Sequence, residues 1–394
     1  MRSFLTVNNL ICLIVVAMAT ALLPFIKGSI NYLLVSIMCL SPIVIIRYPR
    51  LYKFDTQIII FLLAYILCAR LHPESFRWST VCYTILFCTT FLAYMRLLNE
   101  GTFTIENYLN LIRFLLYAYC AMLIIQQGCR LLHLPIINGI AYRHENLLSV
   151  NSLALEPSQS ARLIALFMFC YISMKETLSG QIYSFKENFK EDRWVWLSFA
   201  YPMLTMGSSS AFIFIALVLL KFLSFKKLIP FILIAAIASL GMTLLGGETF
   251  ERTERIFLAT LSLDENTIIK ADPSGSIRIV PIIICFKLLN PADPNFWIGN
   301  GIDYVSGFLY RVLSGIPKGF GGGGLFGSIL DNGVIPIALF LWFVFSNCIG
   351  KKNYLGVVFI LLLVVISGIN LYTTWSTILL FSTNKYFENK YVNT

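Results

Sequence analysis

The chain has 394 residues, 58% of them hydrophobic and 13% charged, with a mean hydropathy of +0.77. A soluble domain is about 45–50% apolar and about 25% charged, so the composition excludes an ordinary soluble enzyme. It also removes nucleic acid as the meaning of the +10 net charge, because in a membrane protein Lys and Arg collect in loops that stay in the cytoplasm.

Lipid leaves no backbone group unpaired, so the spans must be helices or a closed barrel. A barrel needs alternating strands of about 10 residues. The apolar runs here instead approach helical span length, about 17–25 residues. The expected fold is all-α: a polytopic membrane helix bundle of about 11–12 transmembrane helices with two large periplasmic loops, one membrane domain over 1–394. The predicted helices are Asn9–Ile26, Ser29–Ile46, Thr56–Ala69, Ser79–Leu98, Tyr108–Gln126 and Ala161–Met174. After them come Trp194–Met206, Ala211–Phe225, Leu228–Leu245, Leu325–Ile349, Tyr354–Gly368 and Asn370–Phe381. Met1–Leu23 imitates a signal peptide and is read as an uncleaved first span, since more spans follow.

Charge sets the orientation. With the N-terminus inside, the basic segments Arg47–Lys53, Lys175–Arg193, Lys221–Lys227 and Lys351–Lys352 all face the cytoplasm, as does the C-terminal tail. The exceptions are Arg70 and Arg77, placed outside, and the short inner loop after Leu98, which has no basic residue. The two long polar stretches, 127–160 and 246–321, then both lie outside. A flippase would keep both sets of loops short, and a secondary transporter would show a matched pair of interrupted helices in its two halves; neither pattern is visible.

The first polar stretch ends LALEPSQSARL at the start of a span. Pro157 suits a first helical turn, Ser158 or Ser160 can cap, and an acid such as Glu156 is favoured there by the helix dipole. Glu156 is thus either a helix-start residue or a carboxylate that orients or deprotonates a hydroxyl. Arg143, His144 and Glu145 form a charged cluster upstream, either solvated or substrate-binding. Arg162, at the edge of the next span, either snorkels or faces an anionic headgroup.

In the second stretch, ETFERTERIFLATLSL has the spacing of an amphipathic surface helix carrying Glu251, Arg252, Glu254 and Arg255. Arg278 follows a Ser-Gly-Ser turn and leads an apolar helix, so it is either an interfacial arginine or an anion ligand. The segment GFGGGGLFGSILDNG follows Arg311 and opens a late span. Its GxGxxG match is no nucleotide motif, because no strand precedes it; its glycines instead suit close backbone approach. Asp331, about a turn into that span, is a functional candidate or a helix-end polar contact.

No Walker A sequence, no Asp-x-Asp pair and no zinc-type Cys/His spacing is present. The sequence therefore predicts no metal and no cofactor. Outside the membrane there is no nucleotide supply, so any group transfer needs a lipid-borne, pre-activated donor. Guanidinium groups suit the diphosphate leaving group of such a donor, through two-pronged charged hydrogen bonds.

With two large outer loops, LALEPSQSARL, SGSIRI followed by NPADPNFWIGNGI, GFGGGGLFGSILDNGVIPIALFLW and the MGSSSAF turn at Met206–Phe212, the chain resembles the Wzy-type O-antigen and polysaccharide repeat-unit polymerases. That family is related to the O-antigen ligases. The resemblance implies a membrane glycosyltransferase in the bacterial inner membrane. It would move a growing glycan from undecaprenyl diphosphate to the terminal sugar of a new lipid-linked repeat unit, with a chain-length regulator protein as a partner. It implies that Arg278 binds the donor diphosphate, with Arg143, His144, Arg162, Arg252, Arg311 and Asp331 as further substrate-binding candidates and Glu156 on the acceptor hydroxyl. Related ligases carry a histidine near the end of the second loop, and none stands between Gly246 and Asp331 here. An Arg-x10-Gly pattern described for the polymerases fits Arg311 to Gly322 and has no counterpart from Arg130 or Arg143. The alternatives are a ligase-type glycan transferase and a lipid-linked oligosaccharide flippase or transporter.

Overall fold

The structure is a computed structural model that describes residues 6–21, 31–72, 77–139, 148–223, 248–313, 322–350 and 354–392. Arg143, His144 and the expected span Leu228–Leu245 lie outside the described residues, as does the side chain of Arg252.

Among the described residues the chain is all-helical, with 18 helices and no strand. In chain order these begin with α1 (Val7–Ala19), α2 (Tyr32–Arg47), α3 (Lys53–Arg70), α4 (Trp78–Glu100), α5 (Ile105–Leu131) and α6 (Pro157–Ser179). Next come α7 (Phe185–Glu191), α8 (Arg193–Thr205), α9 (Ser209–Leu220), α10 (Glu248–Leu261), α11 (Glu265–Ala271) and α12 (Pro273–Lys287). The last are α13 (Pro294–Ile298), α14 (Tyr304–Val312), α15 (Gly324–Asn332), α16 (Val334–Cys348), α17 (Tyr354–Ser367) and α18 (Tyr372–Val392). By length and composition, α4 and α5 are long and apolar enough to cross a membrane; α1, α2 and α16 are apolar but shorter.

The chain divides into two compact units: 1–37, 101–253 and 383–394 form the first, 38–100 and 254–382 the second.

In the first unit α6 is the central helix. It packs on α5, α8 and α9, and its residues from Ser160 to Met174 are buried on every face. An apolar sequence with no polar face, IALFMFCYISM, has no other stable place than an interior. One end of α6 meets a charged cluster. Lys175 Nζ lies 2.7 Å from Glu191, Lys221 Nζ lies 2.9 Å from Glu176, and Arg113 Nη2 donates to the Tyr171 hydroxyl at 2.9 Å. The Arg113 charge, which stands alone in its apolar run, thus has partners. Ser184 and Glu187 cap α7 reciprocally, and those bonds hold the Glu187 carboxyl below the usual range.

In the second unit α3, α4, α16 and α18 share an aromatic core. Phe87 stacks on Trp375 with centroids 5.6 Å apart, and Phe340 and Phe343 pack beside them. The Arg96 guanidinium lies 2.8 Å from Asp55, with both side chains under 5% exposed.

The stretch 246–321 carries the helices α10 to α14, among them the amphipathic helix and the apolar helix expected within it. Ile256, Ile268, Val280, Ile284, Val305 and Leu309 pack together there with Leu330 of α15. Some expectations are corrected. The Ser274–Ser276 turn is helical, inside α12, because Pro273 starts the helix where a missing N–H costs nothing. Helix α5 continues through Gln127 and Arg130 to Leu131, both of them buried. The expected single helix Leu325–Ile349 is broken into α15 and α16 at Gly333, whose φ of 85° and ψ of 163° fall in a region open essentially to glycine alone. Helix α18 runs past Phe381 to Val392.

Candidate functional site

The loop before α6 is fixed by a buried polar knot within the first unit. Ser152 adopts a left-handed φ of 53°. Its amide donates to Gln126 Oε1 at 2.7 Å and its hydroxyl to the Tyr119 carbonyl at 2.7 Å. Asn151 Nδ2 donates to the Ala154 carbonyl at 2.7 Å and to the Asn138 carbonyl at 3.0 Å, and Ser160 donates to the Asn151 carbonyl. Gln126 Nε2 donates to the Ile137 carbonyl at 2.8 Å, and Tyr119 bonds the Ala19 carbonyl. A network in which buried groups are satisfied is rigid, and breaking it leaves polar atoms stranded away from water.

This knot delivers Glu156 to the start of α6. Glu156 occupies the N-cap position without a side-chain cap bond, and Pro157 follows at the first helical position, as the sequence predicts. Its carbonyl accepts from Ser160 N at 3.0 Å, and its Oε2 accepts from the Ser158 hydroxyl at 3.2 Å. Glu156 is half-buried. A partly solvated carboxylate at a helix N-terminus can hold or receive a proton from a hydroxyl brought to it. Arg162, in the first turns of α6, does not reach solvent as a snorkelling side chain would. It is 7% exposed, because the fully covered helix that carries it leaves it no free face.

In the second unit the residues fall differently. Arg278 is exposed on α12, and Arg311 is exposed in the last turn of α14, where its Nε donates to the Gly307 carbonyl at 3.3 Å. Asp331 lies in the last turn of α15 and makes a helix-end polar contact. Its Oδ1 accepts from Val305 N at 2.8 Å and so caps α14, while its carbonyl accepts from Gly301 N at 3.0 Å. The neighbouring Leu330 carbonyl takes Asn300 N at 2.8 Å. The NPADPNFWIGNGID stretch thereby satisfies carbonyls that the end of a helix leaves open. Gly299 and Gly333 allow the approach: a Cβ on Gly299 would stand 2.4 Å from the Asp331 carbonyl oxygen, and one on Gly333 would stand 2.3 Å from that of Trp297. The glycines serve backbone-on-backbone packing, as the sequence suggests.

Sequence reasoning missed a second polar group in this unit. Asp303, at the N-cap of α14 in a left-handed conformation with φ 67°, accepts from Thr80 Oγ1 at 3.0 Å and lies 3.6 Å from Arg77. The signal available was the sequence Gly-Ile-Asp, where only glycine, asparagine and aspartate readily take a left-handed turn. Comparison with protein-family models, curated proteins and solved structures finds no match to the chain.

Proposed function

We propose that this chain is a polytopic glycosyltransferase of the bacterial inner membrane. In this reading both termini are cytoplasmic and the stretches 127–160 and 246–321 are periplasmic. It polymerises polysaccharide by moving a growing glycan from undecaprenyl diphosphate to the terminal sugar of a new lipid-linked repeat unit. The observation that supports this most is the presentation of Glu156. A buried polar knot holds the loop, and the carboxylate is left half-buried at the N-terminus of a rigid central helix. Arg278, exposed on α12, has the charge and planar fork that suit a diphosphate, and the composition is membrane-like. In this mechanism Glu156 takes the proton of the attacking acceptor hydroxyl. The hydroxyl oxygen forms a bond to the anomeric carbon, and the bond from that carbon to the diphosphate oxygen breaks. The departing diphosphate carries the electron pair, its charge met by guanidinium donors.

The test is complementation of a gene deletion with Glu156→Gln. This swap keeps shape and the Ser158 contact but cannot accept a proton. It is expected to lower polymer formation by about 10²–10⁴-fold, the usual contribution of a positioned base. A wild-type polymer ladder at wild-type protein level would remove Glu156 from the mechanism.

A further inference from the structure

The turn between α2 and α3 is basic, rigid and set at the end of an apolar stripe. Three cations stand within positions 47–53: Arg47, Arg50 and Lys53, all exposed. Arg47 and Lys53 take no ion-pair partner among the described residues. Arg50, its side chain 75% exposed, lies 4.0 Å from Glu100 and faces the Tyr52 ring, 5.7 Å from the centroid. Glu100 is also engaged by the Tyr52 hydroxyl at 2.8 Å, and Asp55 is buried against Arg96. Exposed positive charge therefore exceeds exposed negative charge at the turn. The backbone that carries it is fixed from within. Arg96 Nε donates to the Tyr48 carbonyl at 3.0 Å, Tyr52 N donates to Asp55 Oδ2 at 2.6 Å, and the Tyr52 and Phe54 rings stack 5.0 Å apart. Apolar residues lead up to the cations. Leu40, Ile43 and Ile46 recur at every third position along α2 and are exposed, and Leu51, inside the turn, is 79% exposed.

An apolar stripe that ends in a basic turn has the layering of a lipid leaflet, acyl chains first and charged headgroups next. A free anion would meet the cations and leave Leu40, Ile43, Ile46 and Leu51 uncovered. A zwitterionic lipid would cover the apolar residues but bring a phosphate already offset by its own cation. A ligand with an acyl chain and a net negative headgroup answers both parts. We propose that the turn 47–53 is a binding site for anionic phospholipid, with acyl chains along Leu40, Ile43 and Ile46 and headgroup phosphate at Arg47, Arg50 and Lys53. The two arginines can hold phosphate oxygens through two-pronged bonds. The buried Asp55–Arg96 pair then has a second role, since it fixes the turn that presents the cations. The inference rests on the membrane placement proposed above and not on the transfer reaction.

The experiment is titration of the purified full-length protein, in neutral detergent, with phosphatidylglycerol and with phosphatidylcholine of the same chains, read by thermophoresis. Arg47→Gln, Arg50→Gln and Lys53→Gln are each expected to weaken phosphatidylglycerol binding about fivefold, the scale for one basic residue at a lipid surface. The wild type is expected to prefer phosphatidylglycerol by about a hundredfold, the product of three such contacts, with the preference falling as salt rises. The triple variant is expected to bind the two lipids alike. Leu51→Ser is expected to weaken both lipids and leave the preference in place. If Arg47→Gln disturbs the end of α2, Lys53→Gln and Leu51→Ser carry the comparison. Inorganic phosphate is expected not to displace phosphatidylglycerol; full displacement would make this a site for a free anion and overturn the proposal. A triple variant that keeps the preference, or a wild type without one, overturns it too. The transferase reading fails separately. If deleting the gene leaves surface polysaccharide unchanged while phosphatidylglycerol binding depends on the turn, the lipid site stands and the reaction falls.

Discussion

Arg278→Ala is expected to abolish the polysaccharide ladder in a complemented deletion strain, with polymer formation down by about 10²–10³-fold, as when one preorganised charge-stabilising donor is removed from a transfer reaction. Arg278 is exposed on α12, so the protein is expected to accumulate to wild-type level, and loss of product then reports chemistry rather than folding. Arg278→Lys is expected to recover only part of the activity, because an ammonium supplies charge without the planar fork that grips two phosphate oxygens. Polymer of wild-type length and amount from Arg278→Ala would take the diphosphate away from this residue. Arg311, exposed on α14 in the same unit, would then be the first replacement.

The largest effect on stability is expected at Arg96 and Asp55. Arg96 Nη2 lies 2.8 Å from Asp55 Oδ1, its Nε donates to the Tyr48 carbonyl at 3.0 Å, and Asp55 Oδ2 accepts from Tyr52 N at 2.6 Å. The pair therefore ties α4 to the basic turn at 47–53 and to the start of α3. Removing either partner leaves a buried charge uncompensated, at a cost of about 3–5 kcal/mol. Arg96→Ala and Asp55→Ala are each expected to lower the unfolding temperature of the purified protein sharply. Combining Arg96→Ala with Asp55→Ala is expected to cost much less than the sum of the single changes. Additive losses across that cycle would show that the two charges do not depend on one another.

Much of the fold is legible in the sequence because apolar runs and capping residues are local signals. Pro157 after Glu156 marks the start of α6, and the amphipathic spacing of ETFERTERIFLATL marks α10. Breaks and pairings are harder. Asp331-Asn332-Gly333 lies between two apolar runs, so α15 and α16 read as one helix until the backbone at Gly333 is seen. Ser274-Gly275-Ser276 reads as a turn by propensity, yet Pro273 before it is a helix-start signal that outweighs it. The Arg77–Asp303 and Arg96–Asp55 pairs join residues that are far apart in sequence, and no local pattern announces them. Glu156 could be placed from its neighbours, but the Gln126, Asn138, Asn151 and Ser152 knot that fixes it could not. Its bonds run mostly from amide side chains to backbone carbonyls, which any loop offers.

The central claim is polymerisation, and the direct measurement is gel analysis of surface polysaccharide after deletion of the gene in its own host. The account predicts loss of the ladder and accumulation of lipid core carrying a single repeat unit, with the ladder restored by the wild-type gene. An unchanged ladder would contradict a transferase role, and core without any repeat unit would contradict polymerisation in favour of ligation.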